Sequence, residues 1–142
     1  MKQKILTIAA TLGILLGLSA VAAAQTRNRI EANIRFDFIV GNKELKAGDY
    51  SVTRISQNTV SVRSADGKTS VIVLAPASLQ QRRDGSHERL VFKQFGSTYL
   101  LTEVWTDRDA DGRGLDTMKS EQRLANANGA KPQTVEVLAK GN

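Results

Sequence analysis

Cysteine is absent from this chain. That absence removes disulfides, zinc–thiolate sites, iron–sulfur clusters, cysteine nucleophiles and c-type haem attachment together. Stability must come from core packing and backbone pairing. Histidine occurs once, as His87, so a metal centre built on several histidines is excluded. A Ser-His-Asp site would have to use His87, and no nucleophile-elbow pattern surrounds any serine. We read His87 as an exposed residue opening a strand. Aromatic residues make up 5% of the chain, too few for a broad stacking platform for bases or sugars. No run of basic residues is longer than Arg82-Arg83, which argues against nucleic acid as partner. Tandem repeats and low-complexity tracts are lacking as well.

What the chain does have begins at its start. Lys2 and Lys4 precede an uncharged apolar run from Ile5 to about Leu18, and Ala22 and Ala24 then occupy the two positions a signal peptidase reads. A positive start, a short apolar core and an A-x-A site predict a cleaved signal peptide over 1–24 and a mature protein beginning at Gln25. Counted to Ala24, the uncharged stretch approaches the roughly 20 residues that span a bilayer. Gly13, Gly17 and the alanines weaken its far end, so cleavage is expected rather than a retained anchor, leaving no transmembrane span. The expected location is periplasmic or extracellular in a bacterium.

Removal of the first 24 residues leaves 118 of the 142 and, with Lys2 and Lys4 gone, takes the net charge from +6 to about +4. A chain of that length is one domain. The positive balance favours anionic surfaces, here an envelope glycan, lipid or protein, although the basic residues are scattered.

Residues 30–40 alternate: Ile30, Ala32, Ile34, Phe36, Phe38 and Val40 share one face, and Glu31, Asn33, Arg35 and Asp37 the other. Period two predicts a strand with one buried face. Gly41-Asn42 and Ala47-Gly48-Asp49 read as turns. Further strands are expected over 50–55, 60–63, 69–75, 89–95, 98–106 and 134–139. Asp66-Gly67 and Gly96-Ser97 are expected to close hairpins. The run Val71-Ile72-Val73-Leu74 is apolar on both faces, which predicts a central covered strand ended by Pro76. Trp105 reads as core or core edge. A helix is expected over 117–126, capped by Asp116 or Thr117, resting on the sheet through Met118, Leu124 and Ala125 and ended by Asn128-Gly129 and Pro132. The fold class is therefore all-β and mainly antiparallel: a small sandwich or barrel of six to seven strands with one short helix in the C-terminal half. An open sheet with one helix across it is the competing architecture.

The sharpest chemical motif is Asp107-Arg108-Asp109-Ala110-Asp111-Gly112. Carboxylates at positions 1, 3 and 5 of a loop, followed by glycine, can converge on a calcium ion, which takes six to eight oxygens. The twelfth position is Met118 where a bidentate Glu normally stands, so Asp116 or Glu121 would have to complete the set. Arg108 and Arg113 reduce the charge. The candidate metal ligands are Asp107, Asp109, Asp111 and Asp116, with Ca2+ as the cofactor. A solvated turn that caps the helix is the alternative. Asp37, Glu44, Asp49 and Glu103 are acids on or near strands, but nothing in the sequence pairs them for hydrolysis. Gly112-Arg113-Gly114 lacks the spacing and the lysine of a phosphate loop. No catalytic residue is assigned.

Phe36-Asp37-Phe38-Ile39-Val40-Gly41 followed by Leu45-Lys46-Ala47-Gly48-Asp49-Tyr50 resembles an F-x-F-x-V-G…L-x-A-G-x-Y signature. It belongs to a family of small exported bacterial β-rich proteins to which no activity is attached. Leu90-Val91-Phe92, Tyr99-Leu100, Glu103-Val104-Trp105 and Ser120-Glu121 with Arg123 fit the same pattern, over about residues 30–125. Members of that family have a shorter, less acidic segment where Asp107 to Asp111 stands. The resemblance implies an exported β domain and no catalytic residue. The expected function is a non-enzymatic binding or structural role in the bacterial envelope, with a calcium-binding module as the alternative and a small hydrolase with an acidic site as a third.

Overall fold

The computed structural model describes residues 29–80, 88–106, 112–129 and 131–141. The expected signal peptide, His87 and Asp107 to Asp111 lie outside the described residues. Twelve strands and one helix are described: β1 (Arg29–Ile34), β2 (Phe38–Val40), β3 (Lys43–Leu45), β4 (Gly48–Ser56), β5 (Thr59–Ser64), β6 (Ser70–Leu74), β7 (Ala77–Leu79), β8 (Arg89–Phe95), β9 (Thr98–Trp105), β10 (Gly112–Gly114), α1 (Met118–Asn128), β11 (Gln133–Leu138) and β12 (Lys140–Gly141). They form two sheets, with no closed barrel. The first has order β12-β1-β4-β5-β6. The second has order β11-β8-β9-β10-β7, with β2 on β9 and β3 on β2. All pairings are antiparallel except β2 with β9. The fold is a small β sandwich with one short helix.

Expectation and structure diverge first at residues 30–40. One face is buried as the alternation requires, but the strand is not continuous. The chain leaves the first sheet after Ile34 and enters the second at Phe38. Asp37 explains the break. Instead of lying on a wet strand face, its carboxylate accepts from Ala47 N (2.9 Å) and Lys46 Nζ (2.8 Å). Lys46 and Ala47 form the return crossing from β3 to β4, so one side chain joins both passages between the sheets. Tyr50 completes the junction by donating its hydroxyl to Lys46 O at 2.7 Å, four residues upstream. A tyrosine that reaches back to hold its own corner is a recurrent device of β sandwiches. Burial raises the Tyr50 phenol above its usual value, helped by the nearby Asp66 and Asp37 charges.

The aromatic residues, few as they are, gather at this junction. Phe38 meets Tyr50 and Phe92 edge to face, and Phe36 meets Phe92 edge to face and stacks on Tyr99 at 3.9 Å. Such pairs add about 0.5–1.5 kcal/mol each beyond the area they bury. Ile30, Ile34, Val52, Val60, Val62, Leu90 and Leu101 fill the rest of the space between the sheets and are fully buried.

The Val71–Leu74 run is not a central strand. β6 ends its sheet, and Ile72 and Leu74 are 66% and 63% exposed. Four flanking apolar residues therefore marked β propensity, not double cover. The extra strands β3, β7, β10 and β12 have three residues or fewer, below what periodicity can register. Gly41 and Gly96 open their two-residue turns with φ near 61°, as the turn signals required. The helix lies across the second sheet through a polar contact rather than an apolar stripe. Glu121 bonds Lys93 Nζ at 2.6 Å and Thr117 Oγ1 at 2.7 Å, and Ser120 Oγ donates to Gly41 O. Met118, expected to face the sheet, is 78% exposed, and Ala125 is exposed too. Thr117 holds the N-cap position, Asp116 is outside it, and Gly129 closes the C-terminus with φ 62°.

Trp105 is buried as expected, with its indole Nε1 on Glu103 at 3.0 Å and the Arg89 guanidinium 4.4 Å from its ring centre. Gly112 lies against the indole: a Cβ there would come within 2.5 Å of it. Gly112→Ala is accordingly expected to cost about 1–3 kcal/mol, the range for overpacking a filled core. Tyr50→Phe is expected to cost about 1 kcal/mol, one hydrogen bond. Denaturant unfolding of both variants checks these values.

Candidate functional site

The alternation that buries one face of each strand places its other face in water. On β1, inward Ile30, Ala32 and Ile34 leave Arg29, Glu31 and Asn33 outward, with Arg35 just past the strand. On β4, Asp49 and Ser51 face out, and on β5, Arg63. The register then decides which of these meet. Lys140, Glu31, Ser51 and Arg63 stand in one row across four strands, spanning about 14 Å at the usual strand spacing. Asn33 and Asp49 form the adjacent pair.

Together these residues and the β5–β6 turn line an open depression of about 760 Å³. Its acids are already engaged. Glu31 pairs with Arg29 at 3.3 Å, Asp49 accepts from Asn33 Nδ2 at 2.7 Å, and Asp66 accepts from Ser64 Oγ at 2.6 Å and Lys68 N at 3.0 Å. The Ser64 hydroxyl, then the Lys68 amide, holds Asp66 below the usual carboxylate range. Three cations of the lining, Arg35, Arg63 and Lys140, have no ion pair among the described residues. The Arg63 guanidinium lies over Gly67, whose Cβ would stand 3.0 Å from its terminal nitrogen. Among the described residues, Tyr50 alone brings an aromatic ring to the lining; it is buried and its hydroxyl is spent on Lys46 O, so recognition there would rest on charge and hydrogen bonds.

The four acids singled out from the sequence do not converge on one site. Asp37 and Glu44 share Lys46, at 2.8 and 3.6 Å; Asp49 is in the depression; Glu103 holds the Trp105 indole. The Lys46 ammonium, then the Ala47 amide, lowers Asp37, and Asp37 in turn raises Lys46. Burial alone would raise Glu121, but its bonds to Lys93 and Thr117 outweigh that and lower it. Asp37, Asp66 and Glu121 are thus all pushed toward the ionised form. Of the four calcium candidates only Asp116 is described. Its side chain is exposed and its N–H donates to Leu74 O at 3.0 Å. The described residues contain no group of three or more metal-ligating side chains, and Asp107, Asp109 and Asp111 lie outside them. Gly112-Arg113-Gly114 is a short strand between β9 and β7.

Arg35 was visible in the sequence as a wet-face residue, and Arg63 only as the end of an expected strand. Their meeting with Lys140, more than seventy positions on, was not, because it depends on which strands neighbour one another. No protein-family model matches this chain, and no curated protein or solved structure is significantly similar to it.

Asp66 is expected to titrate below its ordinary 3.8, so whatever stability its bonds add is present above that value and lost as pH falls through the lower, folded one. A carboxyl-carbon NMR titration should show this, and Ser64→Ala should move the value back up.

Proposed function

We propose that this chain is exported to the bacterial envelope and serves there as a non-enzymatic binding domain for an acidic polysaccharide. The reading of residues 1–24 as a signal peptide supports export. The observation that carries the binding proposal is the depression on the first sheet, where Arg35, Arg63 and Lys140 have no ion-pair partner among the described residues while each acid of the lining is engaged. Carboxylate or phosphate groups spaced along a glycan chain would meet those cations in succession. The depression is shallow and open, which suits a polymer lying across a sheet better than an enclosed small molecule. Leu138 is the one exposed large apolar side chain on its rim, little for insertion into a lipid surface.

Protein purified after expression of the full chain should bind immobilised polygalacturonate at low salt and not dextran. Binding should weaken steeply between about 0.02 and 0.2 M salt, as screening shortens to about 8 Å. The double variant Arg35→Ala, Arg63→Ala should lose most of it while keeping its melting temperature. Equal binding by that variant would place any glycan site elsewhere. Binding only to anionic phospholipid vesicles would replace the glycan with a membrane surface. The calcium reading of Asp107, Asp109, Asp111 and Asp116 has a separate test. A rise in melting temperature with millimolar calcium over chelator, abolished by Asp109→Ala, would establish it, and no rise would remove it.

A further inference from the structure

We propose that the free edge of β6 is a self-association site, where a second copy of this chain adds strand to strand across a two-fold axis. The argument starts from hydrogen-bond phase. Ser64 N donates to Thr69 O and Ala75 N to Asn58 O at the two ends of the β5–β6 pair. Bonding alternates along an antiparallel ladder. Residues 69, 71, 73 and 75 therefore bond β5, and Ser70, Ile72 and Leu74 turn their backbone groups to the outer edge. Leu74 O, bonded by Asp116 N at 3.0 Å, confirms that phase. The N–H and C=O of Ser70 and Ile72 have no partner among the described residues.

Sheet edges are normally protected by charge, proline, a bulge or brevity. The edge strand β3 is short and carries Lys43 and Glu44, and β7 and β12 have three and two residues. β6 has none of these protections. It has five residues, no proline or glycine, and an unbroken register with β5. Its outer face is apolar through Ile72 and Leu74. Ile55, 55% exposed, stands at the β4 irregularity beside the Ser56–Thr59–Leu74 row. Three of the five large exposed apolar side chains among the described residues thus belong to this end of the sheet, on β6 and on β4 two strands away.

The partner follows from charge and geometry. β6 is the one strand of its sheet without a charged residue. Two copies of a chain of net charge +6 meet least repulsion there. Asp116 occupies the Leu74 end, so the open segment is centred on Val71. A two-fold axis at Val71 sets Ser70 of one copy opposite Ile72 of the other. Each such pair exchanges two backbone hydrogen bonds, giving an isologous contact that extends the sheet from five strands to ten. The polysaccharide depression reaches the β5–β6 turn, and Arg63 stands opposite Ser70; Ile72 lies outside its lining, so glycan binding kept by Ile72→Lys separates the two proposals.

The test is light scattering behind size exclusion, over a concentration series, on protein purified after expression of the full chain. A concentration-dependent dimer is expected. Ile72→Lys should weaken it by about tenfold or more, since it replaces an apolar contact over the other copy's Ser70 and brings two like charges to diagonal positions about the axis, and should leave the melting temperature unchanged at so exposed a position. Ser70→Pro removes an edge-facing N–H that β5 does not use, and should weaken the dimer independently. A nitroxide on Ser70→Cys, the only thiol in the chain, should report one short interchain distance. A monomer at every concentration, or a dimer that both Ile72→Lys and Ser70→Pro leave intact, would overturn the proposal.

Discussion

The fold depends on the Asp37 carboxylate and the two crossings it joins. The chain passes between the sheets at residues 35–37 and returns at 46–47. Without a tie, these passages would be two independent surface loops. Asp37 binds the second from the first, and Tyr50 binds the second to the strand that follows. With the passages set, Phe38 is delivered onto Tyr50 and Phe92, and Phe36 onto Tyr99. Two more passages are pinned by single backbone bonds: Ala75 N to Asn58 O and Ala139 N to Glu88 O. The exposed bond of Asp37 is weak taken alone. Its importance is topological, because it sets where the buried aromatic residues go.

This accounts for the F-x-F-x-V-G…L-x-A-G-x-Y resemblance in physical terms. Each position in it has a structural task. Phe36 and Phe38 fill the junction, Gly41 opens a turn with positive φ, Leu45 is buried, and Tyr50 holds the corner. A signature spent on architecture carries no chemistry, which is why it points to a fold and not to a reaction. The surface open to function lies on the outer face of the first sheet, where the strands are free of such duties.

Legibility in the sequence followed the range of the interaction. Strands β4, β5, β8, β9 and β11, the glycine turns and the helix end were readable because alternation and turn chemistry act within a few residues. The break at Asp37 was not, since its cause is a contact ten residues away. The place of β6 was misread because a run of β-branched residues looks the same at the edge of a sheet as at its centre. The helix was located correctly, but of the three residues expected to rest on the sheet only Leu124 is half-buried, while Met118 and Ala125 are exposed. Its contact is Ser120 and Glu121 reaching Gly41 and Lys93, and a polar contact leaves no mark in hydrophobic periodicity.

By itself, the sequence determined the β class, the buried face of residues 30–40, the positions of the tight turns at Gly41 and Gly96 and the exclusion of all thiol chemistry. These follow from local backbone preference and composition, and no neighbour can change them. Only the tertiary structure decided the strand order, and with it that Arg35, Arg63 and Lys140 share one depression and that Val71 to Leu74 lie at an open edge. Pairing between distant strands is set by the packing of the whole core, in which each strand's partner is chosen by competition among all the others.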